Sequence, residues 1–235
     1  MPCQERVRPV YTDFIQDAWV WDDQLKPEEV QLSTDHKEAY FHVDPVSQST
    51  GTVGVRGSKG FYEGEHYWEV VFLEPPYGSS MMVGVGTDDV VLQSEPYQYS
   101  NLIGQDNESW GLSYKGTIWH AGEGRKYCEP FYAQDTVIGV HLDLSLGQLT
   151  FYKDGVCLGP AFTGLRASRH RRLYPMVCSS ATETELGLGA MYYRVGQPSR
   201  LQGECLEKIR SSLVSVDGVD SLPLPSVMKN YLRKM

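Results

Sequence analysis

The run "EGEHYWE" puts Glu63, Glu65 and Glu69 at odd-numbered positions, so in an extended chain the three carboxylates share one face. Two carboxyl groups flanking a sugar bond at a set separation are the machinery of glycoside hydrolysis. β-Sandwiches host such enzymes, so a lectin-like or glycoside-hydrolysing sandwich is one reading, resting on analogy of fold alone. The other chemistry-bearing residue types are poorly arranged for catalysis. The six histidines, His36, His42, His66, His120, His141 and His170, form no i, i+4 pair and have no cysteine at metal-ligand spacing. "GVGTDD", from Gly84, has two glycines of a dinucleotide loop but lacks a third, and no helical pattern follows. The five cysteines, Cys3, Cys128, Cys157, Cys178 and Cys205, are odd in number and without a CxxC pair. They read as reduced thiols of a cytoplasmic or nuclear protein. "RASRHRR" (166–172) reads as a solvated basic loop, with contact to an acidic partner as the alternative. The expectation is a protein with no catalytic residue, no metal and no cofactor.

Charge narrows the partners further. A formal net charge of −9, from 21 Lys+Arg against 30 Asp+Glu, lacks the cationic footprint that nucleic acid or an anionic membrane requires. No apolar run approaches the length of a membrane span, and "MPCQERVRPV" has no apolar signal core. At 235 residues the chain can hold one substantial core and a small appendage.

The elements that must position any site are strands. Tyrosine (15) outnumbers phenylalanine (7) and glycine (23) is plentiful, a mixture that suits twisted strands joined by tight turns. Strand signals begin at "WVWDD" (19–23) and continue in "YFHVDPV", "HYWEVVFL" (66–73), "MMVGVG" (81–86), "ESWGLSY" (108–114) and "TIWHAG" (117–122). In "HYWEVVFL" the alternation sets Trp68, Val70 and Phe72 against Tyr67, Glu69 and Val71. "VIGVHLDL" (137–144) and "QLTFYKDGVCLG" (148–159) follow, the second carrying Asp154-Gly155 between two apolar runs. That dipeptide is a type I′ hairpin signal, because the turn needs two residues that tolerate positive φ. "RLYPMVC" (172–178) and "ELGLGAMYYRV" (185–195) complete the set. Many short strands between turns mean a sandwich or barrel. Residues 1–18 carry no period and read as a loosely attached arm.

At Pro198 the pattern changes. "SRLQGECLEKIRSSLV" places Leu201, Cys205, Leu206, Ile209 and Leu213 on one helical face, with Ser199 and Gln202 at capping-box spacing. A helix of this length, with Gly203 inside it, is marginal alone. Its stripe needs a cover, either the sandwich itself, as in a plain interaction module, or a foreign surface. After a polar break, "SLPLPSVMKNYLRKM" carries Leu222-Pro223-Leu224-Pro225 and then a stub of helix with Val227, Met228, Tyr231 and Leu232.

The ordered blocks "GVRGSKGFYEGEHYWEV", "VGVGTDDV", "SWGLSY" and "LTFYKDGVCLG", followed by "YPMV", resemble those of a SPRY domain. The tail, Leu201-x-x-x-Cys205-x-x-x-Ile209 and then Leu222-Pro223-Leu224-Pro225, resembles a SOCS box. Together they are similar to the SPRY-domain-containing SOCS-box proteins over residues 19–235. The resemblance implies a mainly β protein: a two-sheet antiparallel β-sandwich of SPRY type followed by a small α-helical SOCS box. Its implied divisions are an arm at 1–18, the sandwich at 19–197 and the SOCS box at 198–235. The implied role is a non-catalytic substrate receptor of a cullin-RING ubiquitin ligase. Leu201, Cys205, Leu206 and Ile209 would bind the elongin B–elongin C pair. Leu222, Pro223, Leu224 and Pro225 would bind cullin five with its RING protein. Arg200 departs from the family, which more often has a small residue there.

The resemblance also implies a shallow loop site for an Asn-containing linear peptide of a target protein, formed by Val43, Pro45, Ser79, Tyr99, Ser180, Ala181 and Thr182. A site that pairs the donors and acceptor of a carboxamide rejects apolar analogues, since each unmatched buried group costs about 1–3 kcal/mol. Val43 stands where the best-known peptide readers of the family carry arginine, and Ser180-Ala181-Thr182 replaces a Val-Trp-Gly run. The expected ligand is therefore a related, less acidic motif that still contains asparagine.

Overall fold

In "EHYWEVVF" Trp68, Val70 and Phe72 are buried, while Glu69 and Val71 on the opposite face are only half-covered. This is strand β5 (Glu65–Phe72), whose alternation turns one face to the core. The computed structural model describes residues 14–43, 48–168, 170–194, 209, 219–220 and 222–234. The chain divides into two packed units, 1–194 and 195–235.

The first unit holds two sheets whose named strand pairs are all antiparallel. One has the order β12 (Val156–Thr163), β11 (Gln148–Lys153), β10 (Val137–Asp143), β5, β14 (Thr184–Arg194), β3 (Glu38–Phe41), β2 (Val30–Leu32), with β1 (Ile15–Gln16) paired to β14. The other runs β4 (Val53–Arg56), β13 (Tyr174–Ser179), β6 (Met81–Gly86), β7 (Ser109–Ser113), β8 (Thr117–His120), β9 (Glu123–Lys126). Their inner faces share one apolar core, in which Trp68, Val140 and Phe151 of the first sheet join Val85, Leu112 and Val177 of the second. A sandwich core of this kind is the expected outcome of burying the apolar side of two antiparallel sheets.

The β11–β12 hairpin turns at Asp154 (φ 50°) and Gly155 (φ 82°), both left-handed, as the type I′ turn requires. On β12 the side chains of Arg125 and Tyr127 donate to the carbonyls of Ala161 and Gly159. They cover part of a strand at the end of its sheet, where unpaired backbone groups would otherwise recruit another chain. Burial holds the Tyr127 hydroxyl protonated, its pKa pushed up to about 12.

Two expectations are corrected. Residues 15–17 belong to the sandwich and not to a loose arm: Ile15 and Gln16 pair with Tyr193 and Tyr192, and Asp17 N–H donates to the Met191 carbonyl at 3.0 Å. The Asp17 carboxylate is buried against the Lys59 ammonium at 2.6 Å. The backbone of β14 offers the hydrogen bonds, so a segment without apolar period can join. "WVWDD" contributes two core indoles, Trp19 and Trp21, but no regular strand; Trp21 makes a single bridge to Gly57.

In the second unit, the described residues include Ile209, which is helical, and helix α1 (Ser226–Lys234). Val219 and Leu232 are buried, with Ile209, Leu222, Leu224 and Met228 packed against them. Leu201, Cys205, Leu206 and Leu213 of the expected helix lie outside the described residues.

Candidate peptide-binding site

Three strand junctions meet at one end of the sandwich. Ser179, the last residue of β13, stands opposite Val53 at the start of β4 and Met81 at the start of β6. Thr184, the first residue of β14, stands opposite Phe41 at the end of β3. The connections that leave these ends, 42–52, 73–80 and 180–183, are therefore neighbours by register. Their described residues include Val43, Ser79, Ser180, Ala181 and Thr182 of those expected at the site, and Tyr99 joins them through the 93–102 segment. There Gln98 and Ser100 accept hydrogen bonds from Thr52, through its N–H at 3.0 Å and its hydroxyl at 2.7 Å.

Hydroxyl groups hold the 180–183 turn in shape. The buried hydroxyls of Ser179 and Thr184 are 3.0 Å apart, Ala181 N–H donates to Ser179 Oγ at 3.0 Å, and Thr184 Oγ1 donates to the Ala181 carbonyl at 3.2 Å. Ser180 is clasped to Ser80: Ser180 N–H donates to the Ser80 carbonyl at 2.8 Å and Ser80 N–H to Ser180 Oγ at 2.9 Å. Ser180 (5% exposed) and Ala181 (4%) thus form the wall from behind, and Thr182 is the member of this trio that reaches toward the surface. Gly78 is required by close approach as well as by its φ of 83°, since a Cβ there would lie 3.0 Å from the Ala181 Cβ.

Ser79 is exposed, and its carbonyl accepts from the Lys115 ammonium at 2.7 Å. Tyr99 is 41% exposed and its hydroxyl donates to the Ser49 carbonyl at 2.9 Å, which fixes the ring at the surface. Val43 is half-buried and follows His42, a buried residue with φ 50° whose Nε2 lies 3.3 Å from Ser49 Oγ. Burial lowers the His42 pKa and keeps the ring neutral. Pro45 lies outside the described residues.

Tyr77, which sequence reasoning did not single out, borders the candidate site. It is 48% exposed, and its hydroxyl donates to the Thr182 carbonyl and stands 3.2 Å from Thr182 Oγ1. Its place in "PPYGSS", a Pro-Gly-rich loop tip, was the available signal. Among the described residues this rim also carries exposed Tyr97, so the face is rich in flat rings with polar tips.

Two of the three carboxylates that invited an enzymatic reading, Glu65 and Glu69, are engaged within the sheet. Glu65 pairs with Arg194 and lies 3.6 Å from His141 Nε2. Glu69 accepts from the Tyr67 hydroxyl at 3.0 Å and Ala190 N–H at 3.3 Å. Among the described residues no group of three His, Cys, Asp or Glu is placed to hold a metal. Burial pushes the Cys178 thiol up to about 11 and raises that of Cys128, the opposite of activation. In the basic loop Arg171 reaches Glu108 at 3.2 Å and Arg172 N–H donates to Asp88 at 2.9 Å, so two of its residues answer acids of the same chain.

The sandwich and its loop cluster are those of a SPRY-type domain, and the SPRY domain family model matches residues 65–188. Solved structures agree on the fold: the TRIM65 PSpry domain superposes with a TM-score of 0.58 at 22% identity, covering 80% of this chain and 98% of that one. The SPRY domain of human HERC1 gives 0.55 at 18% identity, covering 72% and 97%. The SPRY domain-containing SOCS box protein 3 of Xenopus tropicalis is 40% identical over 215 residues, 91% of this chain and 57% of that protein. The human SPRY domain-containing SOCS box protein 1 is 30% identical over 224 residues, 90% of this chain and 79% of that protein. The human SPRY domain-containing SOCS box protein 2 is 33% identical over 205 residues, 82% and 74%. The chain belongs to the SPRY domain-containing SOCS box proteins, and it spans 57% of the length of the Xenopus relative. Among the described residues no helix is long and apolar enough to cross a membrane.

Proposed function

We propose that the protein is a substrate-recognition adaptor of a ubiquitin ligase, in which the sandwich captures a target and the tail recruits the ligase. The supporting observation is the assembly of Ser79, Tyr99 and Thr182, with Tyr77, on loops that the strand register brings to one end of a family sandwich. Hydroxyls and main-chain carbonyls set among tyrosine rings suit a short peptide whose Asn side chains offer two donors and one acceptor. With valine at 43 and no guanidinium beside it in sequence, the motif read is less acidic than an Asp-rich one. Residues 198–235 act as the SOCS box: Leu201, Cys205, Leu206 and Ile209 for elongin B and elongin C, Leu222–Pro225 for cullin five and its RING protein. The transfer chemistry belongs to the recruited enzymes, and the setting is the cytoplasm or nucleus.

Affinity purification from cells with the full chain, the chain without 198–235, and Tyr99→Ala tests this. Targets should persist on the truncated chain while elongins and cullin are lost, and Tyr99→Ala should lose targets and keep the ligase subunits. Loss of both sets together on truncation of a folded sandwich contradicts the proposal.

A further inference from the structure

Within the segment Leu222–Pro225 the residue types face different ways. Leu222 and Leu224 are half-buried against the Val219–Leu232 pair, whereas Pro223 and Pro225 are exposed. Leu224 N–H donates to the Leu222 carbonyl at 2.8 Å, a three-residue turn centred on Pro223, whose ring already fixes φ where such a turn needs it. Pro225 then starts α1, its carbonyl accepting from Lys229 N–H at 3.1 Å.

The residue that anchors this turn to the helix is Asp220. The Lys229 ammonium donates to the Asp220 carbonyl at 2.9 Å, and the Arg233 guanidinium donates to the Asp220 carboxylate. Lys229 and Arg233 are four apart and lie on one face of α1. Asn230 Oδ1 accepts from Arg233 Nη1 at 2.9 Å and helps to aim the guanidinium. Leu232, one position back from Arg233, belongs to the buried pair against which Met228 and the two leucines pack. A nine-residue helix is too short to persist alone, so helix and loop stabilise each other.

We infer that α1 is a splint that presets the proline loop. Lys229, Arg233 and Leu232 are positioning residues, the leucines of the motif work inward, and the rings of Pro223 and Pro225 are the surface shown to the partner. The partner is the cullin scaffold, and for that identity alone the inference rests on the function proposed above. The exposed rings of Pro223 and Pro225 offer a rigid apolar surface, and a preset loop binds with less ordering cost than a free one. Both members of the Asp220–Arg233 pair are substantially exposed, so the splint weakens with salt.

The test uses the full chain co-purified with elongin B and elongin C, with two readouts: hydrogen exchange at the Leu224 amide, and affinity for the amino-terminal region of cullin five. The variant K229Q/R233Q should speed Leu224 exchange and weaken cullin binding by about threefold or more, as loss of exposed charge pairs allows. Charge exchange, D220R/R233D, should recover what D220R alone loses. Pro225→Ala should weaken cullin binding with Leu224 exchange unchanged. Unchanged Leu224 exchange in K229Q/R233Q overturns the splint. If exchange responds but the unmutated complex does not bind cullin five, the splint stands and the partner assignment is overturned.

Discussion

The Tyr77 hydroxyl crosses from the 73–80 connection to Thr182 in the 180–183 turn, donating to its carbonyl and standing 3.2 Å from its hydroxyl. One side chain thereby ties the loop that enters β6 to the turn that leaves β13, its antiparallel neighbour. The rim is held by hydroxyls at its surface as well as by the Ser80–Ser180 clasp beneath.

Tyr77→Phe keeps the ring and removes that tie. The bond contributes at most about 0.5–1.5 kcal/mol, so target capture should weaken by up to about tenfold and the melting temperature should fall by no more than about 6 °C. Titration of the affinity-purified target against both proteins is the check, and equal affinity would remove Tyr77 from the site.

Trp68→Ala should cost about 3–5 kcal/mol in urea unfolding. Trp68 is 1% exposed and packs with Trp19 at 6.1 Å and Phe61 at 6.0 Å between ring centroids. A loss below about 1 kcal/mol would mean that the core collapses around the missing ring.

The reach of sequence reasoning follows from where side chains face. β5, β6, β10 and β13 were legible because an inner face must be apolar, and the Asp154-Gly155 turn because few residue pairs accept two positive φ values. β9 was not legible: Glu123–Lys126 is exposed at all four positions and is held by pairing to β8, which leaves no side-chain pattern to read. β1 escaped for the same reason. Ser79, Tyr99 and Thr182 are assigned to the candidate site by resemblance to a family, and local sequence could not have shown that their loops are neighbours. Their meeting depends on long-range register, and Tyr77 depends on a contact 105 residues away.

Gly155→Val tests the turn. Gly155 sits at φ 82° and Asp154 at φ 50°, and a β-branched side chain in the left-handed region costs about 1–2 kcal/mol. The urea midpoint should fall accordingly with an unchanged slope, whereas an unchanged midpoint would show that the turn adapts without strain.

Stability should fall on mild acidification. Burial holds His42 and His66 below the ordinary histidine range; His66 stacks on Phe61 at 3.8 Å, with its Nε2 2.8 Å from the Glu63 carbonyl. Asp17 and the Glu63 carbonyl favour the charged His66 and Lys59 and His141 oppose it, but desolvation outweighs them. With the native pKa below the unfolded value of about 6.5, the unfolded chain takes up protons first as pH falls. Stability is therefore full above that value and declines below it until the native pKa is reached, by at most about 1.4 kcal/mol per pH unit for each group. Urea midpoints compared at about pH 7.5 and about pH 5.5 should show the decline, and His66→Gln should flatten it. An equally steep decline in that variant would show that His66 does not contribute.

The measurement closest to the heart of the account is co-purification of the full chain with elongin B and elongin C, followed by size-exclusion chromatography with light scattering. A stable ternary complex that binds cullin five is predicted, and it should be lost in Leu201→Ala/Cys205→Ala while the melting of the sandwich stays the same. A chain that elutes alone from both co-expressed elongins, or a complex indifferent to that pair of substitutions, would contradict it.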